Sequence, residues 1–198
     1  MTQPLPAILI LAAGSSSRMR GADKLMQEVA GGPLIATLAA RAAATGAPVF
    51  VALPGLAHPR AQALATTPVT LVPVPDAAEG MAASLRAGLL ALPDETPAVL
   101  VTPGDMPELT QADFATLLAA HAAAPGETAR GASGERPGHP VLFPRALFPD
   151  LLRLTGDQGG RAVLKAHPPR LIPLPGAHAL TDLDTPEAWA DWRAAGGA

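Results

Sequence analysis

Five consecutive apolar residues near the amino end, Ala7-Ile8-Leu9-Ile10-Leu11, carry no polar residue between them and run straight into a glycine–serine segment, Ala12-Ala13-Gly14-Ser15-Ser16-Ser17. A strand that is apolar at every position has no face for water. It must lie in a sheet covered on both sides, the situation of parallel strands joined by helices. Runs of the same kind recur along the chain, separated by Ala/Leu-rich stretches of helical length. Strands are expected over 7–11, 48–53, 69–74, 98–102, 128–132, 140–143 and 170–173, and helices over 33–44, 59–65, 81–91, 111–123, 146–153, 160–166 and 186–195. The alternation implies one α/β domain over residues 1–198, with no repeat and no linker, and a parallel sheet between helical layers. Between Gly126 and Phe143 the rhythm breaks: two strand-like pieces follow one another with Gly and Pro between them and no helix. A hairpin-like, antiparallel excursion or a mobile loop is expected there.

Open α/β sheets bind ligands outside the carboxyl ends of their strands. The loops after Leu11, Leu53, Val74 and Thr102 should therefore share one rim. The first of them has the composition of a phosphate loop. Gly14 lets the backbone turn and a phosphate approach closely, and Ser15, Ser16 and Ser17 add N–H and hydroxyl donors. Arg18 offers a fork for phosphate oxygens and Lys24 a compact charge. Neither the Gly-Lys-Ser/Thr of a Walker loop nor the Gly-x-Gly-x-x-Gly of a dinucleotide turn is present, which also speaks against a dinucleotide-binding redox domain. The plain alternative is a surface turn with solvated cations.

Asp105 follows the apolar run 98–102 in Thr102-Pro103-Gly104-Asp105-Met106-Pro107. On the ligand rim it can hold Mg²⁺, which takes one or two carboxylates and completes its shell with water and phosphate oxygens; as a turn residue it would do neither. In Thr181-Asp182-Leu183-Asp184-Thr185-Pro186-Glu187, Asp184 reads either as a second metal carboxylate or as the cap of the last helix, with Asp182 as the other candidate. Gly80 opens a helix whose free N–H groups, with Ser84, can face a base or ribose, while Met81 and Leu85 read as core. His139, and the run Gly156-Asp157-Gln158-Gly159-Gly160-Arg161, can contact a second substrate.

Composition removes several classes. The absence of cysteine excludes disulfides, zinc thiolates and thiol catalysis, and is compatible with a reducing compartment. The histidines at 58, 121, 167 and 178 show no metal-ligand spacing. A net charge of −3 and 3% aromatic residues give neither a basic footprint nor a stacking platform for nucleic acid. No Gly-x-Ser-x-Gly elbow is present. No apolar run approaches a membrane span. The first run is short and has no Lys or Arg before it, so it does not read as a signal peptide, and a cytoplasmic protein is expected.

The ordered set of motifs resembles the MobA-like NTP transferase family, and within it the molybdenum cofactor cytidylyltransferase branch. Leu11-Ala12-Ala13-Gly14-x-Ser16-x-Arg18-Met19 with Lys24 is similar to the family's opening signature, Gly80-Met81…Ser84-Leu85…Gly88 to its middle motif, and Gly104-Asp105-Met106-Pro107 to its metal motif. Gly138-His139-Pro140-Val141-Leu142-Phe143, Gly156-Asp157…Gly159-Gly160-Arg161 and Asp182-Leu183-Asp184-Thr185-Pro186-Glu187 match the later ones, so that the resemblance spans nearly the whole chain. Two departures stand out: Arg20 intervenes before Gly21, and Pro137 precedes Gly138 where the family usually has Arg.

The resemblance implies a three-layer Rossmann-like nucleotidyltransferase fold, its sheet mostly parallel with one antiparallel strand. It implies a Mg²⁺-dependent transfer of a nucleoside monophosphate from an NTP to the phosphate of a small acceptor such as molybdopterin, with release of pyrophosphate. Ala-Ala-Gly rather than Ala-Gly-Gly resembles the branch that uses CTP. Arg18, Lys24 and Asp105 would be catalytic. Leu11, Ala12, Ala13, Gly14, Ser15, Ser16, Lys24, Pro54, Gly80, Ser84 and Asp105 would hold the nucleotide, Asp105 and Asp184 the metal, and His139, Asp157 and Arg161 the acceptor. A molybdoenzyme or chaperone would be a partner. A guanylyltransferase, a sugar- or alcohol-phosphate nucleotidyltransferase, and a nucleotide-binding accessory protein without turnover are the competing readings.

Overall fold

The seven expected strands come together in one sheet. In the computed structural model, which describes residues 4–197, they are β1 (Ala7–Leu11), β4 (Val49–Leu53), β5 (Thr70–Pro73), β6 (Ala98–Pro103), β7 (Ala129–Ser133), β8 (Arg136–Pro144) and β9 (Arg170–Pro173). Two further strands, β2 (Glu28–Val29) and β3 (Gly32–Pro33), make a separate small hairpin. The main sheet has the order β5-β4-β1-β6-β8-β7-β9. β1 is parallel to β4 and β6, β4 to β5, and β7 to β9, whereas β8 is antiparallel to both of its neighbours. β8 is thus the one reversed strand of a mostly parallel sheet, and the fold is Rossmann-like with three layers.

The helices are α1 (Leu34–Ala43), α2 (Pro59–Ala63), α3 (Met81–Leu90), α4 (Gln111–Ala123), α5 (Phe148–Leu152), α6 (Arg161–Ala166) and α7 (Pro186–Ala194). They divide the core in two. Ile8 and Ile10 of β1 meet Leu34, Leu38, Phe114 and Trp189 on one face, while Ala7 and Leu9 meet Leu85, Leu89, Phe148 and Leu151 on the other. Each face buries alternate residues of the same strand, which is why the first run needs no polar position. Every such leucine or isoleucine contributes about 1.5–3 kcal/mol on burial. Among the described residues no helix is long and apolar enough to cross a membrane.

The segment 126–143 is a hairpin built into the sheet, β7 with β8, and not a mobile loop. β8 begins at Arg136, earlier than the expected 140, and its first residues pass against the backbone at Ala179: the His139 N–H donates to the Ala179 carbonyl at 2.8 Å. A Cβ on Gly138 would lie 1.8 Å from that carbonyl oxygen, so the approach requires glycine. The β2–β3 hairpin turns through Ala30 and Gly31, both at positive φ, and its two-residue strands are too short for a periodicity to reveal.

Candidate active site

The carboxyl ends of β1, β4 and β6 open on one cleft of about 1010 Å³. The loops after β1, β4, β5 and β6 do share a rim: Leu11, Ala12, Ala13, Gly14, Ser15, Ser16, Pro54, Gly80 and Ser84 all line this cleft, as do Arg18, Lys24, Asp105, Asp157 and Asp184. The Gly104 N–H donates to the Leu11 carbonyl at 2.9 Å, joining the first loop to the one that carries Asp105.

Charge converges at Lys24. Its ammonium donates to Asp105 Oδ2 and, at 2.6 Å, to Asp184 Oδ1. Arg18 takes the other oxygen of Asp184 at 2.7 Å. Local structure sets each of these side chains. Asp23 caps the short 3₁₀ turn Lys24–Met26 by accepting from the Leu25 N–H at 3.0 Å. Asp184 is free to face the lysine because Thr185, not Asp184, caps α7, its Oγ1 accepting from the Ala188 N–H at 3.2 Å. The Leu183 N–H reaches the Asp105 carbonyl at 3.3 Å, so the two carboxylate loops are tied at the backbone. Burial opposes the charge on Lys24, but the carboxylates, Asp105 foremost, outweigh it and hold the ammonium above the usual lysine range. Asp182 makes no ion pair with Lys24; burial, and then the charges of Asp105 and Asp184, lift its carboxyl above the usual range. Between the two candidates it is Asp184 that joins Asp105.

The donor set fits Mg²⁺. Asp105 Oδ1 is buried and has no hydrogen-bond partner, an arrangement that is costly unless a cation or water satisfies it. Two hard carboxylates from separate loops, with water and phosphate oxygens for the remainder, are what Mg²⁺ takes. Among the described residues no group of three or more His, Asp or Glu side chains is placed to form an all-protein cage.

A second cavity of about 590 Å³ adjoins the first, sharing Leu11, Met81, Pro103 and Asp157 with it. It brings together His139, Asp157 and Arg161, and adds Arg130, which the motifs did not single out. Leu85, Val101, Val141 and Phe143 form an apolar wall. Burial, then the charge of Arg130, pushes the His139 imidazole down to about 4, and its Nδ1 has no partner. The ring is therefore neutral near pH 7. Arg130 donates from Nε to the Gly138 carbonyl at 2.7 Å, and burial and the Arg161 charge lower its pKa.

Gly80 lines the first cavity and packs against Asp157, which lines both. Its φ is +114°, and a Cβ there would lie 2.4 Å from Asp157 Oδ1 and 2.6 Å from the Gly156 carbonyl oxygen. The loop that carries Asp157 thus packs directly on the start of α3. One expectation changes as a result: the Ala82 N–H donates to the Gly156 carbonyl at 3.0 Å instead of facing the cleft. Of the two departures, Arg20 pairs with Glu187 at the start of α7 and lies outside the cleft lining, and Pro137 sits in β8 opposite Ala132. Sequence reasoning also missed Arg60, which lies 2% exposed beneath the first loop; it stands in Pro59-Arg60-Ala61, in no motif, and no local pattern marks it.

A family model for the MobA-like NTP transferase domain matches residues 8–171. The bifunctional protein GlmU of Kineococcus radiotolerans is 40% identical over 129 residues, 62% of this chain and 26% of that protein. The chain thus spans about a quarter of the length of that curated relative. Among solved structures, Rv0371c from Mycobacterium tuberculosis H37Rv superimposes with a TM-score of 0.80 at 28% identity, covering 98% of both chains. The structure of Rv0371c in complex with manganese gives 0.77 at 25% identity, covering 94% of this chain and 97% of that one.

Proposed function

Because this chain belongs to the MobA-like NTP transferase family, we propose that it is a cytidylyltransferase that moves CMP from CTP onto the phosphate of a molybdopterin-type acceptor and releases pyrophosphate. The observation that carries this reading is the meeting of Lys24 with Asp105 and Asp184, 81 and 160 residues away in sequence, on the cleft lined by the glycine–serine loop. A binder without turnover has no need of two carboxylates at that point. The choice of CTP rests on Ala12-Ala13-Gly14 in the opening motif. The acceptor side is supported by the second cavity, where Arg130 and Arg161 suit an anionic group and the apolar wall suits a ring.

In this reaction an oxygen of the acceptor phosphate forms a bond to the α-phosphorus of the NTP. The bond from that phosphorus to the β-phosphate oxygen breaks, and pyrophosphate leaves with the electron pair. The acceptor is already anionic, so no side chain has to remove a proton, and positioning and charge carry the catalysis. With a pKa of about 4, His139 is a weak base, and the reaction does not call on it as one. Arg18, Lys24 and the N–H groups of the loop meet the charge that grows on the leaving pyrophosphate. Mg²⁺, held by Asp105 and Asp184, would supply Lewis-acid neutralisation of the phosphate oxygens. The manganese complex of the mycobacterial structure supports a divalent cation in this fold.

The test is pyrophosphate release from CTP, GTP, ATP and UTP with Mg²⁺ and molybdopterin. Release fastest with CTP is the expected result. Release confined to GTP would make the chain a guanylyltransferase. A nucleotide-dependent rise in melting temperature with no release from any NTP would make it a binding protein.

A further inference from the structure

We propose that Arg60 is the positioning residue of the first loop: a buried guanidinium that grips the loop from beneath and thereby turns its peptide N–H groups toward the nucleotide phosphates. This rests on the reading of the cleft as a nucleotide site. The Arg60 guanidinium makes five hydrogen bonds, and every one falls between residues 12 and 23. It donates to the Ala12 carbonyl at 2.6 Å, the Gly14 carbonyl at 2.8 Å, Ser16 Oγ at 3.1 Å and both oxygens of Asp23 at 2.7 Å. A planar fork can hold all of these at once, which a lysine cannot.

The carbonyl contacts have a direct consequence for the donors. In a trans peptide the C=O and N–H point in opposite directions. With the carbonyls of Ala12 and Gly14 turned down onto Arg60, the N–H groups of Ala13 and Ser15 are turned away from it, and among the described residues neither donates to the chain. Ala13, Gly14 and Ser15 line the large cleft. Ser16, at a left-handed φ of 52°, is fixed by Arg60, by Asp23 at 3.2 Å and by the Lys24 N–H at 3.3 Å. The same buried group therefore sets the backbone of the loop and the start of the turn that presents Lys24. Asp23 balances its charge, and Arg60 in return holds the Asp23 carboxyl below the usual carboxylate range against the opposing effect of burial.

The experiment is calorimetric titration of Mg·CTP and of inorganic tripolyphosphate into wild type, Arg60→Lys and Arg60→Ala, with circular dichroism to check the fold. A role in charge or stability alone predicts that lysine restores binding. The positioning role predicts that folded Arg60→Lys binds both phosphates at least about tenfold more weakly, and that millimolar guanidinium restores part of the affinity of Arg60→Ala. Should Arg60→Ala fail to fold, Arg60→Lys decides the matter by itself. Affinity of Arg60→Lys within about twofold of wild type for both ligands would overturn the proposal and leave the nucleotide site standing. Failure of the wild-type protein to bind either ligand would overturn the cytidylyltransferase reading, and the role of Arg60 with it.

Discussion

Lys24 holds its ammonium between Asp105 and Asp184, on the two carboxylates that a divalent cation would use. Its charge therefore balances the two carboxylates, and a divalent cation bound there would compete with it. Lys24→Ala should lower pyrophosphate release a hundred- to a thousandfold, about 2.7–4 kcal/mol of lost stabilisation, with an unchanged circular dichroism spectrum. The same variant should bind Mn²⁺ more tightly than wild type in the absence of nucleotide, read by electron paramagnetic resonance; weaker binding would show that the lysine does not compete. Asp105→Asn should remove turnover and Mn²⁺ binding together while the melting temperature stays close to that of the wild type. His139 belongs to the same scale. Its folded pKa, about 4, lies below the ordinary histidine value of 6.5, so between those two pH values the unfolded chain carries a proton that the native one lacks. The contribution is complete above 6.5 and is lost as pH falls toward 4, by up to about 3 kcal/mol. In urea unfolding at a series of pH values, His139→Gln should show a shallower fall across that window.

At the scale of elements, the reversed strand and the loop on α3 decide how the cavities are walled. Gly80→Ala would place a methyl group against Gly156 and Asp157 at a positive φ. A loss of about 1–3 kcal/mol is expected, measured by urea denaturation. The central strands β1, β4 and β6 were legible because burial on both faces removes polar alternation from the sequence. The start of β8 was hidden because Pro137, Gly138 and Pro140 read as breakers. They are tolerated because the strand pairs with β6 only from Val141 onward, and because the register with β7 shifts between Arg130 and Ala132. The site was legible where its residue types came in order, at Gly14 to Lys24, at Asp105 and at Asp184. Arg60 and Arg130 were not, since each is one arginine in an ordinary stretch and acquires its surroundings only when distant carbonyls are folded around it.

At the scale of the whole molecule, the cleft draws on residues from 11 to 184, so a ligand that bridges them stabilises the entire fold. Mg·CTP at a hundred times its dissociation constant should add about 2.7 kcal/mol to the unfolding free energy, seen as a rise in melting temperature that Asp105→Asn loses. The single reversed strand bears on how such a protein can change over time. Because β8 runs against its neighbours, its amino-terminal end, with His139, arrives beside the loop that ends β6, and the adjoining cavity is walled by a hairpin that contributes nothing to the grip of Arg18, Lys24 or Arg60. On the proposed reading, mutations in that hairpin would reshape the acceptor side while the half that holds the nucleotide is inherited intact, so that a lineage could exchange one acceptor for another without passing through a form that has lost its donor.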